Sequence, residues 1–430
     1  MEASLIGFAA LLLLAFLGLP LGFALISVGV IGFAFERGLT PALAMSGQQI
    51  LDISTNFGLS VLPLFMLMGA FIHRAGLAED LYDAANAWLG HRRGGLAMAT
   101  VAACAGFGAV SGSSLATAAT MAKVAMPPMR RYGYADSLAA GSIASGGTLG
   151  ILIPPSVPLV IYGILAEVDI GQLFIAGILP GILLATLYIL GIALVTRINP
   201  ALGPAGPAVE RTQKWRALAR VWGVLLLFVV VLGGIYFGVF TPTEAAGIGA
   251  TGAFLFALLR RRLDWHGFIG ALVDAGKMTG MIFVVAFGAL IFANFVNLAG
   301  LPGALVDAVT ALDVSPLVVV LLICLIYIVL GTVFESLGML LLTVPVFIPV
   351  VQPLGIDLVW FGIVVIIVME IGLITPPIGM NVFIVKSALP DVELWAIFKG
   401  IGPFVAAGIV CLFLILFVPD IALMLPKLMR

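Results

Sequence analysis

Apolar stretches occupy residues 5–35, 58–72, 96–128, 137–165, 173–196, 221–240, 243–259, 279–298, 316–351, 357–385 and 400–418, with short connections between them. A bilayer crossing takes about 20 apolar residues, so this pattern has room for roughly 9 to 12 crossings and little else. Charge agrees. The 20 basic and 21 acidic residues make up 10% of the 430, against roughly 25% in a soluble protein, too few to solvate a globule of this size. A soluble enzyme is excluded, and the expected fold is an all-α polytopic membrane protein in a lipid bilayer. A net charge of -1 with no basic block excludes a nucleic-acid partner, which needs clustered Lys and Arg. Cys104, Cys324 and Cys411 sit in apolar stretches and read as small hydrophobes. The first 35 residues lack a basic n-region and exceed a signal-peptide core, so they are expected in the mature protein.

Two stretches, 96–128 and 316–351, are longer than one crossing and are interrupted by SGSS at 111–114 and FES at 334–336. Each reads as a re-entrant hairpin or a pair of short crossings. Connections bearing Lys and Arg should be cytoplasmic: Arg74, Arg92, Arg93, Arg130, Arg131, Arg197, the segments 211–220 and 260–262, Lys386 and Lys399. Those at 166–172, 299–315 and 352–357 carry Glu167, Asp169, Asp307, Asp313 and Asp357 without Lys or Arg, and should face outward. Two hairpins, entering from opposite sides, satisfy all these placements. Lys427 and Arg430 then fall outside, and the 5–35 stretch, broken at Pro20, is compatible with one or two crossings. Residues 78–93 mix Leu81, Trp88 and Leu89 with charge and read as an interfacial helix.

The chain also repeats itself. A displacement of 222 residues lays Gly150, Pro154 and Pro155 on Gly372, Pro376 and Pro377, and Pro127 and Gly133 on Pro349 and Gly355. Upstream, 224 residues lay Phe71, Gly76, Leu77 and Asp83 on Phe295, Gly300, Leu301 and Asp307. Five crossings separate the copies, and an odd number inverts the second, the plan of many secondary transporters.

In each copy a polar tip is followed by a proline-interrupted crossing, SGGTLGILIPPS at 145–156 and MEIGLITPPIGMN at 369–381. Paired prolines remove amide donors and leave upstream carbonyls unpaired, which lipid does not tolerate. Such tips and breaks offer oxygens to a hard cation such as Na⁺ and helix N-termini to a carboxylate. One Na⁺ site is expected at Ser111, Ser113 and Ser114 with the backbone of Gly147, Gly150, Ile153 and Pro155. The other is expected at Gly331, Glu335 and Ser336 with Gly372, Thr375, Pro377 and Met380. Substrate contacts are assigned to Ser113, Ser114, Pro154, Ser156, Glu335, Thr375, Pro376 and Asn381. Glu335, an intramembrane carboxylate, is the strongest functional marker, as cation ligand, proton carrier or hairpin cap; Glu370 is second. Asn56, Asn294 and Asn297 read as interhelical hydrogen-bonding residues, and His73, His91 and His266 show no ligand spacing. Lys123 reads as a snorkelling side chain near the cytoplasmic face.

The segments GAVSGSSLATAATMAKVAMPPMRRYGY, GTLGILIPPSVPLVIYG, LFIAGILPGILL, TPTEAA and GLITPPIGMNVF together resemble the large membrane subunit of the tripartite ATP-independent periplasmic (TRAP) transporters, over essentially the whole chain. The resemblance implies a Na⁺-driven, elevator-type secondary transporter of the bacterial inner membrane. It further implies a scaffold shared with a small four-helix membrane subunit, and an organic acid (a C4-dicarboxylate, keto acid or sialic acid) delivered by a periplasmic binding protein. Only one long apolar stretch precedes residue 58, so the small subunit is expected as a separate chain. The expected division is 1–57 as N-terminal scaffold, 58–172 as first repeat, 173–278 as connecting helices, 279–390 as second repeat and 391–430 as C-terminal helix. A proton-coupled carrier and a passive anion channel are the alternatives on this architecture. An intramembrane serine hydrolase needs a base beside SGSS, and no histidine is expected at that depth.

Overall fold

The structure, a computed structural model, describes residues 2–312 and 314–429; the expectations for Asp313 and Arg430 lie outside the described residues. All regular secondary structure among the described residues is helical. The first apolar stretch splits into α1 (Glu2–Phe16) and α2 (Leu21–Arg37) at Gly18, whose φ is +85°, and Pro20. Gly7 of α1 and Gly32 of α2 abut the same ring, Phe295, so α1 folds back along α2 and the stretch is a hairpin. A helix α3 (Leu39–Thr55) follows, in a segment where the sequence reading placed no element.

The first repeat contains α4 (Val61–Arg74), α5 (Leu77–Leu89), α6 (Gly95–Ser111), α7 (Ser114–Arg131), α8 (Asp136–Leu152) and α9 (Val157–Leu165). Its α6 and α7 form the first hairpin; α8 and α9 are one crossing bent by 42° at the prolines. Then come α10 (Ile170–Ile198), the basic α11 (Arg211–Arg220), α12 (Trp222–Tyr236) and α13 (Pro242–Leu259). The second repeat is α14 (Trp265–Leu298), α15 (Leu301–Leu312), the hairpin α16 (Pro316–Gly331) and α17 (Ser336–Val351), and the broken pair α18 (Leu358–Ile374) and α19 (Met380–Ala388). The chain closes with α20 (Leu394–Phe417) and α21 (Asp420–Leu428), where Lys427 pairs with Asp420 at 2.7 Å.

The repeat seen in the sequence is a repeat of structure. Displacement by 222 residues carries α8 onto α18 end to end, and α9 and α19 are both nine residues long. Gly76 and Gly300, which open α5 and α15, share a left-handed backbone (φ +72° and +76°), as do Gly133 and Gly355 (φ +73° and +72°). Such φ values are inexpensive only without a Cβ. The Pro154–Pro155 and Pro376–Pro377 peptide bonds at the two breaks are both cis. On the sidedness expected from charge, α4 would run from the outer to the inner face and its counterpart, the C-terminal half of α14, the opposite way. Helices α8 and α18 form the buried centre: every residue from Leu138 to Leu152 and from Val359 to Ile374 is buried. Their all-round hydrophobicity is what a helix enclosed by other helices requires. On the basic side, Arg130 at the end of α7 ties Asp136, at the start of α8, to Asp391, just beyond α19.

Candidate binding site between the hairpin tips

The first tip is made by Gly112 and Ser113. Gly112 ends α6 at φ +61°, and a Cβ there would stand 3.1 Å from the Pro155 carbonyl, so the tip lies directly on the first break. Ser113 is extended and its hydroxyl accepts a long 3.4 Å bond from the Ala116 amide, starting α7. The Thr117 hydroxyl donates to the Ser113 carbonyl at 2.7 Å and lies 2.8 Å from the Ser111 hydroxyl. Beneath these oxygens is Gly150, where a Cβ would meet the Ser113 carbonyl and the Thr117 hydroxyl at 3.1 Å each. An all-oxygen set is the chemistry of a hard cation, and the described residues contain no group of three His, Cys, Asp or Glu suited to a transition metal.

The second tip has a parallel construction with different atoms. The Thr332 carbonyl accepts the Gly379 amide at 3.0 Å, joining tip to break. Gly379, at φ +63°, has the carbonyl oxygens of Ile374 and Thr375 within 3.4 Å of where its Cβ would be. The Thr375 hydroxyl donates to the Ile371 carbonyl at 2.6 Å. In both copies the first hairpin arm crosses the broken helix glycine on glycine: Gly108 on Gly150, and Gly331 on Gly372.

The two tips face each other across one cavity of about 150 Å³, lined by Ser113 and Ser114 from one and Glu335 and Ser336 from the other, with Met66, Met278 and Met281 opposite. The Glu335 side chain makes no capping bond to α17, which removes the hairpin-cap reading. Of the expected substrate contacts, Ser113, Ser114 and Glu335 are brought together here. Ser156 instead donates to the Ile151 carbonyl and Asn381 to the Ala144 carbonyl, linking the second break to α8. Pro154 is buried against Gly177 of α10, while Pro376 and Pro377 are exposed. Of the expected cation residues, Ser111, Ser113, Gly150 and Pro155 converge at the first tip, and Gly331, Gly372 and Thr375 at the second. Gly147 packs on Ala118, Ile153 turns its side chain toward Gly181, and Met380 opens α19 after Gly379. Glu370 is fully buried and neither carboxyl oxygen has a hydrogen-bond partner among the described residues.

Thr117, Thr332, Gly108 and Gly379 were not singled out from the sequence. Thr117 is one helical turn past Ser113, a spacing that puts its hydroxyl on the Ser113 carbonyl and that was legible. Thr332 and Gly379 are 47 positions apart and meet only in the fold.

Toward the basic end, the cavity meets a wider vestibule of about 510 Å³ at Met66, Ala116 and Met278; Ser111, Thr120 and Lys123 line it. Toward the acidic end, Ile161, Ile164 and Leu165 of α9 face Phe283, Ala286 and Leu290 of α14 around a void of only about 30 Å³.

Comparison with known proteins agrees with this architecture. Residues 8–421 match the family described as tripartite ATP-independent periplasmic transporter, DctM component. The chain is 39% identical over 382 residues to the C4-dicarboxylate TRAP transporter large permease protein DctM of Pseudomonas aeruginosa, covering 88% of each chain. It is 35% identical to the sialic acid TRAP transporter large permease protein SiaM of Vibrio cholerae, covering 100% of this chain and 99% of the other. Among solved structures, the YdaH transporter of Alcanivorax borkumensis shares the fold with a TM-score of 0.65 at 15% identity, over 89% of this chain and 88% of that one. The two permeases are transport proteins and not enzymes, and this chain belongs to the family whose model it matches, the DctM component of the tripartite ATP-independent periplasmic transporters.

Proposed function

We infer that this chain is the large permease of a Na⁺-coupled TRAP transporter that takes up a small organic anion across a bacterial inner membrane. The observation that carries the reading is the cavity between two hairpin tips, the first packed on its break and the second hydrogen-bonded to its own, each gathering oxygens. Na⁺ is written here as co-transported cargo. At the first tip, Ser111 and Thr117 would offer hydroxyls and Ser113 its carbonyl; at the second, the carbonyls of Thr332 and Thr375 are the corresponding donors. A cation at each tip would fix Ser113–Ser114 and Glu335–Ser336 in place and lower the cost of holding an anion between them. The anionic cargo named for the two relatives supports a C4-dicarboxylate or a larger carboxylate such as sialic acid as substrate class. The family's tripartite description supports two further components, a small membrane subunit and a periplasmic binding protein.

An elevator movement is the mechanism we favour. Arg130 and Asn381 tie the first hairpin and the two broken helices together, the Gly379 amide on the Thr332 carbonyl ties in the second hairpin, and the assembly meets α14 and α4 across methionine and aliphatic surfaces that can slide. The apolar seal at Ile164 and Leu290 faces the predicted periplasmic side, and the vestibule faces the cytoplasm. Thermal unfolding in NaCl against choline chloride, at equal ionic strength, tests the coupling. At tenfold saturation each Na⁺ site adds about 1.4 kcal/mol by mass action. Thr117→Val should remove the share of the first site and Thr117→Ser should keep it. An unfolding midpoint indifferent to Na⁺ would contradict Na⁺ coupling.

A further inference from the structure

Lys123, expected as a snorkelling side chain near the cytoplasmic face, also lines a cavity. It lies on α7 between the tip at Ser113 and Arg130, exposed and lining the vestibule, and among the described residues it makes no hydrogen bond or ion pair. The other full charges lining that space are Arg74, Asp274 and Glu79. Arg74 is taken by Asp274 at 2.7 Å. His73 is the remaining titratable side chain there, close enough to Lys123, Arg74, Glu79 and Asp274 to respond to each. Lys123 is thus the uncommitted cation of the vestibule. Its position along α7 continues a line of residues facing the cavity: Ala116, Thr120 and Lys123 stand at steps of three and four, the spacing of one helix face. From Ser114 to Lys123 the rise is about 13.5 Å, too far for a small dicarboxylate to touch both at once.

We propose that Lys123 is a release-side anion station, a second binding point that takes the substrate's carboxylate after it leaves the tips and before it reaches the cytoplasm. The proposal rests on the functional reading above. It adds a site that neither the tips nor the breaks contain, and it assigns the site to a carboxylate-bearing anion. An anion leaving Ser113–Ser114 and Glu335–Ser336 passes Met66, Ala116 and Met278, where the two cavities join, and Lys123 is the first unpaired positive charge beyond that point.

The test needs no knowledge of the substrate. A reporter, Thr120→Cys, is introduced into the full chain with its small subunit, in inside-out vesicles. Its reaction rate is measured with anionic sulfonatoethyl and cationic trimethylammonium-ethyl methanethiosulfonate. The native Cys104, Cys324 and Cys411 are buried, so the chain without the reporter sets the blank. A unit charge about 6 Å away changes an ion's encounter roughly threefold even at the dielectric constant of water, in opposite senses for the two reagents. Lys123→Gln should therefore lower the anionic-to-cationic rate ratio about tenfold, and Lys123→Arg should restore it. A reporter unreactive to both reagents from the cytoplasmic side overturns the proposal, as does a ratio unmoved by Lys123→Gln. Failure of anion uptake by the native complex, with the ratio behaving as expected, would count against the functional reading alone.

Discussion

The glycine-on-glycine crossing makes the sharpest stability prediction. A Cβ added at Gly108 would stand 2.6 Å from the Gly150 Cα and 2.9 Å from its nitrogen, and at Gly331 it would stand 2.9 Å from the Gly372 Cα. Carbon atoms prefer about 3.5–4.0 Å, and the obstructing atoms are helix backbone that no rotamer change can move. One helix must therefore retreat by about an ångström, at an overpacking cost of about 1–3 kcal/mol. Against this, Gly→Ala inside a helix gains about 0.5–1 kcal/mol. The net for Gly108→Ala is a loss of about 1–2 kcal/mol. Gly276→Ala and Gly280→Ala in α14, where a Cβ meets nothing within 4 Å, should show the propensity gain alone. With about 2.1 cal/mol/K of unfolding entropy per residue, 1 kcal/mol moves the midpoint of a chain this long by about 1 °C. Gly108→Ala should thus melt about 2–3 °C below Gly280→Ala, read by tryptophan fluorescence of the purified chain, with Gly331→Ala moving the same way. If Gly108→Ala melts with Gly280→Ala, the hairpin does not rest on the broken helix as described.

Two further predictions concern charges outside the membrane. The Arg130 guanidinium, bonded to Asp391 at 2.5 Å, holds that carboxyl below the usual carboxylate range. Its contribution is present above the ordinary carboxylate pKa and is lost as pH falls through the lowered folded value, so Asp391→Asn should flatten the acid side of the melting-temperature profile. Asp83, on α5, is pushed the other way, first by burial and then by Asp80. A carboxyl raised on folding loses stability as pH rises from its unfolded to its folded value. Asp83→Asn should therefore raise the melting temperature at neutral pH, and the gain should vanish in acid; a gain that persists in acid would refute the cause given.

Much of this architecture was legible because the membrane imposes severe rules. Apolar runs located the hydrophobic helices, although among the described residues only 6, or up to 8 with each bent pair taken as one span, are long and apolar enough to cross, fewer than the roughly 9 to 12 expected, because the hairpin arms are short; coincident Gly and Pro residues revealed the repeat. Both hairpins, both breaks and helix α5 appear where patterning put them. Helix α3 was missed because LTPALAMSGQQILDIST is too polar for a crossing and too irregular to stand out as amphipathic. At the tips, residue type pointed to the right neighbourhood but not to the atoms. Ser156 and Asn381 carry suitable groups, yet both are committed to carbonyls of α8. The oxygens that do cluster at the second tip belong largely to the backbone, which any residue type supplies. That Lys123 borders a cavity was not legible, because depth along a helix is visible in sequence, whereas the cavity beside it is made with α4 and α14.

The central claim, an organic anion moved by a Na⁺ gradient through the cavity between the tips, is tested most directly by uptake. The complete complex, with its binding protein and small subunit, is reconstituted in vesicles, and accumulation of labelled succinate and of labelled sialic acid is followed under an inward NaCl gradient and an equal choline chloride gradient. The account predicts concentrative uptake of one of these anions with NaCl only, abolished by Glu335→Leu and reduced by Thr117→Val. Equal uptake in the two salts, or uptake indifferent to Glu335→Leu, would contradict it.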